Sequence, residues 1–330
     1  MRFAVIGAGS WGTTLANMLA KNGHDVRLWV REQSLLSEIR TKGENSWYVP
    51  GMKLDPHLTA SCDAPQVMGG VDYILVVVPS QFIRGVLAGM VDYLPKKPVI
   101  VCASKGIELG SLATMSQVVA EALASLKPRF AMLSGPSFAF EVGRDMPTAV
   151  SLGCADRKLG KELQQALSSE NFRVYTNPDY RGVELGGAIK NIIAIAAGIS
   201  DGLGFGSNAR AALITRGLAE MSRLGGAMGA DPRTFMGLSG MGDLVLTCTG
   251  ELSRNRQVGL RLGKGQKLLD ILGQMKMVAE GVKTTEAVHD LGRKLSIELP
   301  ITEQVYLVLY QGKDPAVAVR ELMTRDLKSE

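Results

Sequence analysis

"VIGAGSWGTTLANML", residues 5–19, decides the fold. A hydrophobic run breaks into glycines and then resumes with helical spacing. Arg2 to Ile6 reads as a short buried strand. Thr13 to Lys21 reads as a helix with Leu15, Met18 and Leu19 on one side. Gly7, Gly9 and Gly12 fall at the turn between them. Gly7 allows a tight turn, Gly9 lets a ligand approach the backbone, and Gly12 lets the helix pack against the strand. The free N–H groups and the positive end of the helix dipole then favour a phosphate. This is the G-x-G-x-x-G dinucleotide pattern in a strand–turn–helix setting. The bland alternative is a glycine-rich turn that binds nothing.

The chain of 330 residues suits two domains, with roughly three quarters of the unfolded surface buried. Its 46% hydrophobic and 21% charged residues are ordinary for a globular enzyme. The net charge of +5 is scattered, with no basic arm or nucleic-acid motif, so it suits anionic small ligands better than DNA. Cys62, Cys102, Cys154 and Cys248 stand far apart and read as buried thiols in a reducing compartment. His24, His57 and His289 have no zinc-site spacing, so no metal is expected. Each reads more readily as a surface residue than as a catalyst. Arg2 already belongs to the first expected strand, so no targeting peptide is expected. The longest apolar stretch, near Ile192 to Ile199, reads as too short for a membrane span. A cytoplasmic location follows as the default.

The first half alternates strand and helix signals. Further strands are expected at Asp25–Val30, Tyr73–Val78, Pro98–Ala103, the run before Ser134, Thr148–Leu152 and Arg173–Tyr175, and a long helix near Leu112–Leu126. Buried strands alternating with helices argue for an α/β fold with a doubly wound, Rossmann-type parallel sheet. From about residue 180 the chain is rich in Ala, Leu, Gly and Met and reads as helices, one of them starting at Pro300. The expected division is a dinucleotide-binding domain over 1–178 and an all-helical substrate domain over 179–330.

An acidic residue about 20 positions beyond the fingerprint normally holds the NAD ribose hydroxyl. Here "RLWVRE" places Arg31 near that point, followed by Glu32. A guanidinium fork pairs with a 2′-phosphate, so NADP(H) is favoured and NAD(H) remains open. A dinucleotide fold does not name a reaction, because the protein must still position substrate and carry a proton. In "VELGGAIKNIIAIAAG", 183–198, Lys190 shares a helical face with Gly186, Gly187, Ala194 and Ala197. Small neighbours leave room for a ligand. To act as a base near neutral pH its pKa must fall from about 10.4 to 7 or 8, a shift of roughly 4 kcal/mol that burial favours. The competing reading is a lysine that snorkels to water. Lys105, after a buried strand in "CASKGIE", reads equally as a second site cation or a loop charge. "SGPSFAFEV", 134–142, reads as a cleft-lining turn or a tight connection. In 237–259, Asp243 lies among glycines, and Ser253, Arg254, Asn255 and Arg256 open a helix. The two arginines favour an anion site there over a surface cap.

With these segments quoted, the chain resembles the bacterial NAD(P)-dependent sn-glycerol-3-phosphate dehydrogenases over essentially its whole length. The likeness rests on "GAGSWGT", "ASKGIE", "GPSFAFEV", "ELGGAIKNIIAIAAGISDGLGFGSNARAALITRG", "GLSGMGDLVLTC", "SRNRQVG" and "VAEGVKTT". The resemblance implies reversible hydride transfer between C2 of glycerol 3-phosphate and NAD(P), mainly reducing dihydroxyacetone phosphate for phospholipid synthesis. It implies Lys190 as the proton carrier, and Lys105, Gly135, Ser137, Asp243, Ser253, Arg254 and Asn255 at the substrate. It implies Ser10, Trp11, Arg31, Tyr48, Lys105, Ala139, Arg254, Val278 and Glu280 at the cofactor, beside the fingerprint glycines, and a homodimer. The rival readings are a lysine-using NADP-dependent reductase of a hydroxy acid and a non-catalytic NADPH-binding regulator. Substrate competition and turnover separate them.

Overall fold

Strand β1 (Arg2–Ile6) has four consecutive fully buried residues, Phe3 to Ile6, as a strand covered on both faces requires. In the computed structural model, which describes residues 1–275 and 277–327, seven further strands join it. They are β2 (Asp25–Trp29), β3 (Leu58–Ser61), β4 (Tyr73–Val76), β5 (Val99–Cys102), β6 (Arg129–Ser134), β7 (Thr148–Gly153) and β8 (Phe172–Asn177). The sheet order is β3-β2-β1-β4-β5-β6-β7-β8. Val5 sits beside Leu28 on one side and Leu75 on the other. Alternation along the strands feeds two separate cores. Phe3, Val5, Tyr73, Leu75, Val99 and Val101 enter one, and Ala4, Ile6, Ile74, Val76, Ile100 and Cys102 the other. That division makes the sheet doubly wound. The strand order reverses at β1, which places a ligand crevice beyond its carboxyl end.

Two features depart from the sequence reading. β3 has no apolar run and lies at the sheet edge, so periodicity did not mark it. β7 pairs antiparallel with β6, so β7 and β8 run against the other six strands. The connection between β6 and β7 holds only the four-residue helix Ala139–Val142, too short to lie across a sheet face as a crossover.

Helix α1 (Ser10–Lys21) is buried all round from Gly12 to Ala20 rather than on one side. Its polar residues face protein instead of water: Thr14 Oγ1 donates to the Ala139 carbonyl at 3.3 Å, and Asn17 Nδ2 to the Lys53 carbonyl at 3.2 Å. The helix expected from Leu112 begins at Met115, because Leu112 has φ +59° and Thr114 with Gln117 forms a capping box. Glu184, buried, accepts from Ser116 N at 2.6 Å and Ser116 Oγ at 2.8 Å.

The chain forms two compact units. The first comprises Met1–Lys105 and Ala113–Glu184; the second comprises Gly106–Leu112 and the chain from Leu185 onward. The two compact units part inside the helix Tyr180–Gly202, and 106–112 groups with the helical unit because Ile107 packs in that unit's core. The apolar stretch near 192–199 is likewise part of a longer element. The 23-residue helix Tyr180–Gly202 is long and apolar enough to cross a membrane by length and composition, yet 94% of its most apolar window is buried inside the protein.

Within the second unit this helix packs on helix Arg254–Gly263 through glycines on both sides. A Cβ on Gly198 would lie 2.0 Å from the Arg256 carbonyl oxygen, and one on Gly259 would lie 2.0 Å from that of Ile195. Gly202 and Gly263 meet one turn further on, where a Cβ on either would stand 2.9 Å from the other's Cα. The two backbones touch, and no other residue type fits there.

Burial pushes the Glu184 carboxyl up to about 7 from its ordinary 4.5, against hydrogen bonds from Ser116 and Thr114 that pull it down. Between those two values the folded chain keeps a proton that the unfolded chain releases. The contribution is present below 4.5 and is lost as pH rises through 7. Glu184→Gln should flatten the fall in stability across that window, as read by denaturant unfolding at a series of pH values. An unchanged slope would refute the assignment.

Candidate active site

In the first unit, the turn after β1 is closed on one side and open on the other. Gly7 has φ +114°, a conformation that favours glycine, and a Cβ there would meet the Val77 carbonyl oxygen at 2.7 Å. A Cβ on Gly12 would lie 1.9 Å from the Gly7 carbonyl oxygen, while one on Gly9 would meet nothing within 4 Å. Helix α1 starts at Ser10, with Gly9 at its cap position and no side chain capping it. A turn with open space at Gly9 and helix-start N–H groups fits the pyrophosphate of a dinucleotide. Trp11 and Tyr48 are half-buried against the same core. Ala139 adjoins α1 through Thr14. Arg31, just past β2, is exposed, and its Nε donates to Glu32 Oε1 at 2.8 Å, with Nη2 on the same oxygen. The structure thus engages both residues that sequence weighed against each other.

A second group lies at the ends of β5 and β6. Lys105 Nζ donates to the Gly135 carbonyl at 3.3 Å, and Ser137 Oγ donates to the same oxygen at 3.0 Å. Gly135 has φ +143°, and a Cβ there would stand 2.9 Å from Val150 Cα.

The second unit builds its site on Lys190, which is 6% exposed. Its ammonium does not snorkel to water. Nζ donates to Asp243 Oδ1 at 2.8 Å and to Thr247 Oγ1 at 2.7 Å. Thr247 Oγ1 in turn donates to the Asp243 carbonyl at 2.6 Å, one turn earlier. Asp243 opens helix Asp243–Thr249 after the wide π-type turn Leu238–Gly242, and its carboxylate suits that helix start. The small residue Gly186 serves this turn: a Cβ there would lie 2.6 Å from the Ser239 carbonyl oxygen. Gly186 therefore admits protein backbone where sequence left room for a ligand. Burial also pushes the neighbouring Cys248 thiol up to about 12, so it stays a thiol.

Next to Lys190, Asn191 Oδ1 accepts from Asn255 Nδ2 at 2.9 Å, and Asn255 Oδ1 accepts from Gly281 N at 2.9 Å. One carboxamide thereby ties three helices, among them Glu280–Leu295, which Glu280 opens. Ser253 is a buried helix cap whose Oγ accepts from Arg256 N at 3.2 Å. Arg254 is exposed, and its Nη1 donates to the Val278 carbonyl at 2.8 Å. Arg256 is not part of an anion receptor. It pairs with buried Asp201 at 2.7 Å, which Arg210 also reaches. The two-arginine argument reduces to Arg254.

Each unit thus gathers its own set: the glycine turn with Trp11, Tyr48, Ala139 and Arg31, and the Lys105–Gly135–Ser137 group, in the first; Lys190, Asp243, Ser253, Arg254, Asn255, Val278 and Glu280 in the second. Thr247 and Asn191 were missed by sequence reasoning. Thr247 stands four residues after Asp243, a spacing that places both on one helix face. His289 is buried rather than superficial, with its ring 3.7 Å from that of Tyr306. Cys62 is half-buried where full burial was expected. Among the described residues, no cluster of three or more His, Cys, Asp or Glu could hold a metal ion.

The paired lysine has a thermodynamic signature. Asp243→Ala strands a buried ammonium and should cost about 3–5 kcal/mol. Lys190→Met combined with Asp243→Leu should recover most of it. Urea unfolding of the single and double variants tests this, and additive losses would refute the pairing.

The chain matches known proteins over nearly its whole length. Residues 2–160 match the family model of the NAD-dependent glycerol-3-phosphate dehydrogenase N-terminus, and residues 179–320 match that of its C-terminus. The chain is 69% identical over 330 residues to a glycerol-3-phosphate dehydrogenase (NAD(P)+) of Solidesulfovibrio magneticus, covering 100% of both chains. A protein of the same name from Maridesulfovibrio salexigens is 66% identical, again over 100% of both. The crystal structure of glycerol-3-phosphate dehydrogenase from Coxiella burnetii superposes with a TM-score of 0.94 at 45% identity, covering 98% of this chain and 99% of that one.

Proposed function

The chain belongs to the NAD-dependent glycerol-3-phosphate dehydrogenase family, and we propose that it interconverts sn-glycerol 3-phosphate and dihydroxyacetone phosphate with Lys190 as proton carrier. Membership makes it a nicotinamide-dependent oxidoreductase. A nicotinamide cofactor held at the glycine turn would supply hydride chemistry at C2 of the substrate. Lys190 Nζ gives a proton to the carbonyl oxygen in reduction and takes the hydroxyl proton in oxidation. The observation that carries this reading is a lysine 6% exposed, held by Asp243 at 2.8 Å and Thr247 at 2.7 Å. The carboxylate makes a buried ammonium tolerable, and the two contacts hold Nζ in one place.

Arg254 is the residue for the substrate phosphate, with Ser253 and Asn255 fixing its helix. Lys105, Gly135 and Ser137 complete the substrate contacts. The glycine turn with Ser10 and Trp11, together with Tyr48, Ala139, Val278 and Glu280, serves the cofactor. In the cell the enzyme mainly reduces the ketone, feeding glycerophospholipid synthesis. It works in the cytoplasm as a homodimer, as the family resemblance implies.

Lys190→Ala should lower the rate of triose-phosphate-dependent NADPH oxidation by about 10²–10⁴-fold while the folded variant still binds cofactor. A variant that keeps its turnover would remove Lys190 from the chemistry. NADP(H) is the favoured coenzyme, because the Arg31 fork suits a 2′-phosphate even with Glu32 as a competitor. Arg31→Ala should cut the NADPH-to-NADH ratio of kcat/KM by about tenfold, the loss of one charged hydrogen bond. An unchanged ratio would assign coenzyme choice elsewhere.

A further inference from the structure

We infer that Asn45, outside every motif considered so far, is a positioning residue that sets the direction of the Gly9 N–H in the dinucleotide turn. Asn45 is fully buried. Its Nδ2 donates to the Ala8 carbonyl at 2.9 Å and to Thr13 Oγ1 at 2.8 Å. The Ala8 oxygen can only accept, so the amide nitrogen must face it. Ala8 lies between Gly7 and Gly9, at the centre of the turn. No peptide bond of the described chain is cis, so the Ala8 carbonyl and the Gly9 N–H point in opposite directions within their shared peptide plane. Tying the carbonyl to Asn45 sends the Gly9 N–H the other way, at a glycine bordered by open space.

The carboxamide is an expensive choice for packing alone. Its Oδ1 is buried with no hydrogen-bond partner among the described residues, a cost that an apolar side chain avoids. Its two donated bonds both end on the glycine turn and the first turn of α1. The 43–55 segment that carries Asn45 is anchored separately at its far end. There Asn17 Nδ2 donates to the Lys53 carbonyl at 3.2 Å, and Asn17 Oδ1 accepts from Asp55 N at 2.7 Å. The structure therefore offers a control in which the segment is loosened without touching Ala8.

The inference rests on the dinucleotide reading above, and the test separates the two. Binding of NADH and of ADP-ribose, which carries the pyrophosphate but no nicotinamide, is measured by titration calorimetry. Asn45→Ala and the isosteric Asn45→Asp should weaken both ligands by the same factor, about tenfold or more. At saturating cofactor, kcat and the KM for dihydroxyacetone phosphate should stay within about twofold of wild type. Asn17→Ala should leave both affinities within about twofold. If Asn45→Ala does not fold, Asn45→Ser carries the same comparison. Equal weakening by Asn17→Ala would make Asn45 a loop anchor only, and loss confined to NADH would place its effect away from the pyrophosphate; either overturns the inference. Wild-type protein that binds neither ligand would instead bring down the dinucleotide reading itself.

Discussion

A lysine ammonium in the middle of an almost wholly buried helix must have a carboxylate, and much of the second unit is arranged to provide one. Lys190 meets Asp243 from a helix whose most apolar window is 94% buried. Removing either partner alone leaves an uncompensated charge away from water. The wide turn before Asp243, the glycine that admits it at position 186, and the Thr247 hydroxyl that takes a second ammonium donor all follow from that demand. The same demand suits chemistry. In the proposed role of proton carrier, a lysine held by Asp243 and Thr247 would need little reorganisation.

The neighbouring helices are held at matching precision by absence of side chains. Gly198 and Gly202 against Gly259 and Gly263 bring two backbones into contact, which fixes the separation of the Lys190 helix from the Arg254 helix. Asn255 then joins Asn191 to the start of the third helix at Gly281. Arg254 and Lys190 thus stand on elements whose spacing is set by backbone contact and by one carboxamide. Side-chain packing alone tolerates larger shifts.

In the first unit the equivalent frame is the sheet. Alternating residues of β1, β4 and β5 enter two cores, so each strand is pinned from both faces. The turn after β1 inherits that rigidity, and the polar residues of α1 tie it to the 43–55 segment and to Ala139. A helix start presented from such a frame receives an anion without rearrangement.

Much of this was legible in residue order, for a physical reason. Strand burial, glycine turns, the Pro300 helix start and the suspicion attached to Lys190 all depend on residues close in sequence, where periodicity and steric limits act. The family motifs extended that reading to the reaction. Other features depend on pairs far apart in the chain, which no local pattern encodes. They include the acid that meets Lys190 across 53 positions, the commitment of Arg256 to Asp201 across 55, and the hold of Asn45 on Ala8 across 37. The reversal of β7 and the edge strand β3 belong with them, since pairing partners and connection geometry decide both. The sequence by itself determined the class of fold and which residue types were available for chemistry. Only the tertiary structure decided which of those residues are spent on one another, because burial forces every charge and polar group to find a partner and that partner is chosen by space.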